Sequence, residues 1–113
     1  MLVGIGCDIV KIDRIEAFLN KGLKLNFLTD KEKAICNEFA FHRKAEWIAG
    51  RFAAKEAIYK AIHNAYESHI CDYEILVNED GSPSCHIDGF IIHLSIAHEK
   101  EYAIAYVMVE KEK

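Results

Sequence analysis

The stretch "GRFAAKEAIYKA", residues 50–61, contains no proline and only one glycine, at its first position. From about Arg43 to Tyr66 it sits in a longer run where Trp47, Ala54, Ile58 and Ile62 recur at helical intervals. That spacing predicts one long helix. Projected at about 100° per residue, Glu56 shares a face with Phe52, Tyr59, Lys60 and His63. Arg51 and Lys55 lie about a quarter-turn round, with Ile58 and Ile62. On a solvated face, Glu56 and Lys60 are an ordinary i,i+4 pair worth ~0.3 to 0.5 kcal/mol. The alternative is that Glu56 is a ligand for a hard cation and the neighbouring cations face phosphates.

The segments around this helix set the fold class. "MLVGIGCDIV" reads as a strand, with Gly4 and Gly6 at places where a backbone or a ligand can approach closely. "DRIEAFLN", residues 13–20, begins with an aspartate able to cap a helix and carries Ile15, Phe18 and Leu19 at helical spacing. "TDKEKAICNEF" repeats the pattern, with Thr29 or Asp30 as cap and Glu32 or Lys33 in the first turn. Beyond the long helix, "CDYEILV", "SCHID", "IIHLSIAH" and "YAIAYVMVE" are β-rich, and "NEDGSP" supplies a turn through Asp80, Gly81 and Pro83. The last run is apolar on both alternating faces, so it is expected to be covered on both sides, or on one side by a neighbouring subunit. The order implies an α+β fold: one domain, residues 1–113, with an antiparallel sheet packed on one long helix plus short N-terminal helices.

Charge is unevenly distributed. Residues 1–60 hold 11 Lys and Arg against 8 Asp and Glu, whereas residues 61–113 hold 3 against 10. An anionic ligand must therefore be met by the first half. Its basic residues are interleaved with acids, which argues against nucleic-acid binding and for a discrete phosphate or an acidic partner. The apolar stretches are too short to span a membrane. Cys7, Cys36, Cys71 and Cys85 have no C-x-x-C spacing, and the chain opens on a strand-like segment, so a reduced cytoplasmic setting is expected, with Cys71 and Cys85 as buried thiols. His69 with Cys71, and Cys85 with His86, do not match zinc-ligand spacing.

Asp8 follows the two glycines of the first strand, where its charge is costly to bury unless a metal or a donor meets it. Magnesium takes only one or two carboxylates plus phosphate oxygens and water, so Asp8 and Glu56 together suffice for a site. Ser95 and His98 are three apart and point to opposite faces of a strand, which makes a nucleophilic Ser-His pair a poor reading.

Taken in order, "GIGCDIVKIDRI", "LTDKE", "GRFAAKEAIYKA" and "SIAHEKEYAIAYV" resemble the patterns of the bacterial holo-acyl-carrier-protein synthases, and the likeness spans residues 3–109. The resemblance implies a Mg²⁺-dependent transfer of the 4'-phosphopantetheine arm of coenzyme A to a serine of apo acyl carrier protein. Adenosine 3',5'-bisphosphate is released, and the product serves fatty acid biosynthesis. It implies Asp8 and Glu56 as metal ligands and Lys60 as a cation on the pyrophosphate. Arg43, Lys44, Arg51 and Lys55 are the cations available to the 3'-phosphate, and Ser95 and His98 line the coenzyme site across a subunit boundary. Arg14, Lys21 and Lys24 would dock the acidic carrier, and the assembly would be a homotrimer with shared active sites.

The chain departs from the family in three places. "IHNAYESHI" stands where a Gly-rich loop is usual, Ala97 where Ser or Thr is common, and the segment from Gly81 to His93 is short. A rival of another class is a non-catalytic α+β oligomer that binds a nucleotide or an acidic protein. Such a binder needs the cations but not two acids that repel the same phosphate.

Overall fold

A computed structural model describes residues 1–113. Strand β1 (Leu2–Lys11) runs directly into helix α1 (Ile12–Asn20), followed by α2 (Asp30–Cys36) and the long α3 (Phe41–Ile62). A short 3₁₀ turn (Ile70–Asp72) leads to a small hairpin of β2 (Leu76–Val77) and β3 (Pro83–Ser84), and then to β4 (Phe90–His98) and β5 (Tyr102–Lys111). The main sheet is antiparallel with order β1-β5-β4, so β5 is central. Helix α3 lies across one face of this sheet, as the α+β reading expects.

The core explains that contact. Ala45, Ala49, Ala53, Ala54, Ala57 and Ala61 of α3 share one buried core with Ala103, Ala105, Val107 and Val109 of β5, where helix and sheet meet. Small side chains on both surfaces let helix and sheet approach closely. Alternation along β5 sends the other set, including Tyr106 and Met108, to the far face of the sheet, where both are exposed. Ile5, Ile9 and Ile91 join them there, Ile5 being 68 % and Tyr106 60 % exposed. No helix is long and apolar enough to cross a membrane.

Local capping differs from expectation at α1. Asp13 lies within the first turn, and the cap is Lys11, with no side-chain hydrogen bond. The reason is that β1 enters the helix without a loop, and the first amide, that of Ile12, is taken by the carbonyl of Glu101 at 2.8 Å. At α2 the capping box forms: the Thr29 hydroxyl accepts from the Glu32 amide at 3.3 Å, and Glu32 Oε1 accepts from the Thr29 amide at 2.8 Å.

The two middle strands are shorter than "CDYEILV" and "SCHID" predict. The amide of His69 donates to Asp72 at 3.1 Å, closing a turn, and the amide of Ile75 donates to Glu32 at 2.8 Å instead of to a strand. The turn in "NEDGSP" forms as expected, with Gly81 at φ 88° and Asp80 accepting from the Ser82 amide at 2.9 Å.

Candidate active site

The contact between β1 and α3 is backbone on backbone. A Cβ at Gly4 would stand 2.1 Å from the carbonyl oxygen of Ala61, and one at Gly6 would stand 1.9 Å from that of Ala57. Only glycine fits at either place. Two residues further along the same strand face comes Asp8, opposite Ala105 of β5 and therefore inside the sheet. Its Oδ1 accepts a hydrogen bond from the ammonium of Lys60 at 3.0 Å, and that ammonium also donates to the Cys7 carbonyl at 3.1 Å. Glu56, half-buried, precedes Lys60 by one turn and flanks it on the same side of the helix. Asp8 and Lys60 thus meet where the glycines bring strand and helix together, with Glu56 one helical turn before Lys60. Asp8 and Glu56 are the residues available to an oxygen-preferring metal, and no larger group of His, Cys, Asp and Glu gathers anywhere.

A second cluster lies at the opposite edge of the sheet. Arg43, Arg51 and His98 line a cavity of about 230 Å³ with Trp47, Gly81 and Pro83. The Arg51 guanidinium stacks on Trp47 with Cζ 4.1 Å from the ring centroid, and Arg43 lies over Phe39 at 4.9 Å. Arg51 is only 8 % exposed and its buried Nε has no partner. Burial pulls its pKa from 12.5 down to about 10, with Arg43 adding repulsion and Glu32 opposing the shift, so the group is still cationic at neutral pH. A buried cation with an unused donor beside a second arginine and a histidine is suited to an anion. Glu46 lies beside the histidine: its Oε2 is 3.6 Å from His98 Nδ1 and 3.5 Å from His42 Nε2.

Two sequence expectations need correction here. Lys55 does not face a ligand. It and Glu32 are both 0 % exposed, and its ammonium meets Glu32 Oε1 at 2.6 Å and also donates to the Phe27 carbonyl. Arg51 and Lys55 lie on the stripe of Ile58 and Ile62, which is the buried one. Lys44 projects away from the Arg51 cavity, donating to Asn37 Oδ1 at 3.1 Å beside Leu19, Leu23 and Cys36. Ser95, as its spacing from His98 predicts, is on the far face of the sheet, in a groove with Ile5, Tyr106 and Met108.

On the other side of α3, Arg14 and Lys24 line an apolar groove of about 260 Å³ with Phe18, Leu25, Phe27 and Phe52. The Phe27 and Phe52 rings pack at 4.8 Å between centroids. Phe52 is one turn before Glu56, so the groove borders the acidic cluster. Lys21, exposed, ends α1 just outside the groove. The sequence reading missed Glu32 as a buried hub and Glu46 as the partner of His98. It also passed over Trp47, whose place four residues before Arg51 was a usable stacking signal.

Fold and site together define a class. The chain belongs to the 4'-phosphopantetheinyl transferase superfamily, whose model matches residues 4–107, and within it to the holo-[acyl-carrier-protein] synthases, which makes it an enzyme and not a non-catalytic binder. It is 44 % identical over 117 residues to the Holo-[acyl-carrier-protein] synthase of Geobacillus kaustophilus, covering 98 % of this chain and 91 % of that one. It is 41 % identical over 116 residues to the synthase of Staphylococcus aureus, covering 98 % of each. Among solved structures it is similar to the Bacillus anthracis synthase in complex with CoA (3',5'-ADP), with TM-score 0.89, 38 % identity and 99 % of each chain covered.

Proposed function

We propose that this enzyme moves the 4'-phosphopantetheine arm of coenzyme A to a serine of apo acyl carrier protein, with Mg²⁺, releasing adenosine 3',5'-bisphosphate in the cytoplasm for fatty acid biosynthesis. The observation that carries the reading is the Asp8–Lys60 pair at the glycine contact of β1 with α3, with Glu56 one turn before Lys60 on the same side of the helix. Two carboxylates without further side-chain ligands suit magnesium, which completes its shell with phosphate oxygens and water. When bound, the ion would neutralise charge on the diphosphate, and Asp8 and Glu56 are the residues that would hold it.

The chain's own residues supply positioning and charge. Lys60 is exposed and already aimed at Asp8, so its ammonium can turn to a phosphate oxygen as the bond to the leaving bisphosphate breaks and the serine oxygen bonds to phosphorus. Arg51, held flat by Trp47, offers its unused Nε to the nucleotide's 3'-phosphate, with Arg43 and His98 beside it. Arg14 and Lys24, with Lys21 nearby, attract an acidic carrier to the apolar groove that ends at Phe52.

The two half-sites lie at opposite edges of one sheet, Asp8 on β1 and His98 on β4 with β5 between them. The far face of the sheet, with Ile5, Ile9, Tyr106 and Met108 exposed, is an apolar surface suited to burial against neighbours. The reading is therefore a homotrimer assembled through that face, with Ser95 drawn into the boundary.

The test is incubation with coenzyme A, Mg²⁺ and apo carrier, followed by mass spectrometry of the carrier. A gain of one phosphopantetheine, lost on chelation of the metal, is expected. An unmodified carrier, or equal transfer in chelator, would refute the reading.

A further inference from the structure

We propose that the buried pair Lys55 and Glu32 positions the carrier groove against the metal-bearing turn of α3; the inference rests on the transferase reading above. Glu32 Oε1 accepts from the Thr29 amide at 2.8 Å and from Lys55 Nζ at 2.6 Å, and Oε2 accepts from the Ile75 amide at 2.8 Å. Lys55 Nζ also donates to the Phe27 carbonyl, and the Thr29 hydroxyl donates to Glu74 Oε2 at 2.5 Å. Both charged groups are fully buried, so their bonds are shielded from water and strongly directional.

The network joins three segments, two of which serve different parts of the site. Residues 25–27 line the apolar groove, and the Phe27 carbonyl is fixed from behind by Lys55 while its ring rests on Phe52. Lys55 itself is the residue before Glu56 on α3, so fixing its side chain fixes the rotation of that turn. Residues 74 and 75 brace this arrangement from outside, through the Glu74 carboxylate on Thr29 and the Ile75 amide on Glu32. A core needing only stability would be served as well by apolar side chains of similar volume. The charged pair instead sets the placement of the groove loop against the helix turn. Lys55 and Glu32 are positioning residues: neither reaches the groove or the Asp8 cluster.

Two variants test this, Glu32→Gln combined with Lys55→Met, and Glu74→Ala, which cuts only the tie to Thr29. In the double variant, carrier KM is expected to rise at least tenfold, with the coenzyme A dissociation constant within threefold of the parent. Amide hydrogen exchange in residues 25–29 should quicken at least tenfold while residues 103–109 stay protected. Glu74→Ala, expected to keep the fold, should raise carrier KM about threefold and leave coenzyme affinity unchanged. A purely structural pair would lower thermal stability without this split between the two substrates. Carrier KM within twofold of the parent in both variants, or unchanged exchange in residues 25–29, overturns the proposal. If the parent protein transfers nothing, the transferase reading fails, and the exchange measurement decides the positioning claim alone.

Discussion

Replacing Gly6 with alanine probes the contact on which the site is built. The new Cβ would lie 1.9 Å from the carbonyl oxygen of Ala57 and 3.2 Å from Cγ1 of Val107. The first neighbour is helix backbone, which cannot rotate away. Strand and helix must part by more than about 1 Å to restore normal contact, and overpacking of this kind costs roughly 2 to 3 kcal/mol. For a chain of this size that lowers Tm by about 10 °C. Asp8, two residues further along, moves with the strand away from Lys60 and Glu56. A displacement of about 1 Å at a reacting centre costs on the order of 100-fold in rate, so kcat should fall by about that factor. Thermal unfolding and carrier modification measured on the same preparation check both numbers. A Gly6→Ala protein with Tm within about 2 °C and kcat within twofold of the parent would refute the close-contact argument.

Other predictions follow from single groups. Glu56→Ala should reduce transfer at least ~1000-fold while the far-ultraviolet circular dichroism is unchanged, since the side chain is half-buried and makes no contact the core needs. Arg14→Glu should raise carrier KM about tenfold and leave coenzyme KM unaltered, with the difference shrinking as salt is added; equal effects on both substrates would remove Arg14 from the docking surface. Burial pushes the Cys85 thiol from 9.0 up to about 11, against the weaker opposing pull of a backbone hydrogen bond and Lys55. The folded state therefore holds that proton more tightly than the unfolded chain does. The contribution is complete below pH 9 and is lost as pH rises through 11, a fall of up to roughly 3 kcal/mol. Melting curves across that window should be less steeply pH-dependent in Cys85→Ala, and an identical slope would contradict the assignment.

Periodicity made α3, β4 and β5 legible because each is long and its apolar residues recur at one spacing. The strands expected at "CDYEILV" and "SCHID" shrank because Ile75 gives its amide to Glu32, a residue 43 positions away that no local pattern reveals. Lys55 was misread for a related reason. Its helical stripe, shared with Ile58 and Ile62, already indicated burial, but the acid that makes a buried lysine tolerable comes from α2. Alternation correctly separated Ser95 from His98, which puts Ser95 on the exposed apolar face and His98 beside Arg51. The family pattern assigned Asp8 to the metal and Lys60 to the diphosphate but did not pair them, and their 3.0 Å contact rests on the glycines that the sequence already marked as places of close approach.

The most direct measurement is a crystal structure of the protein with coenzyme A and magnesium bound. The account predicts one ion touching carboxylate oxygens of both Asp8 and Glu56 and oxygens of the coenzyme diphosphate, with the Lys60 ammonium turned from Asp8 to the phosphate. A diphosphate bound elsewhere, with Asp8 still paired to Lys60 and Glu56 free of metal, would contradict it.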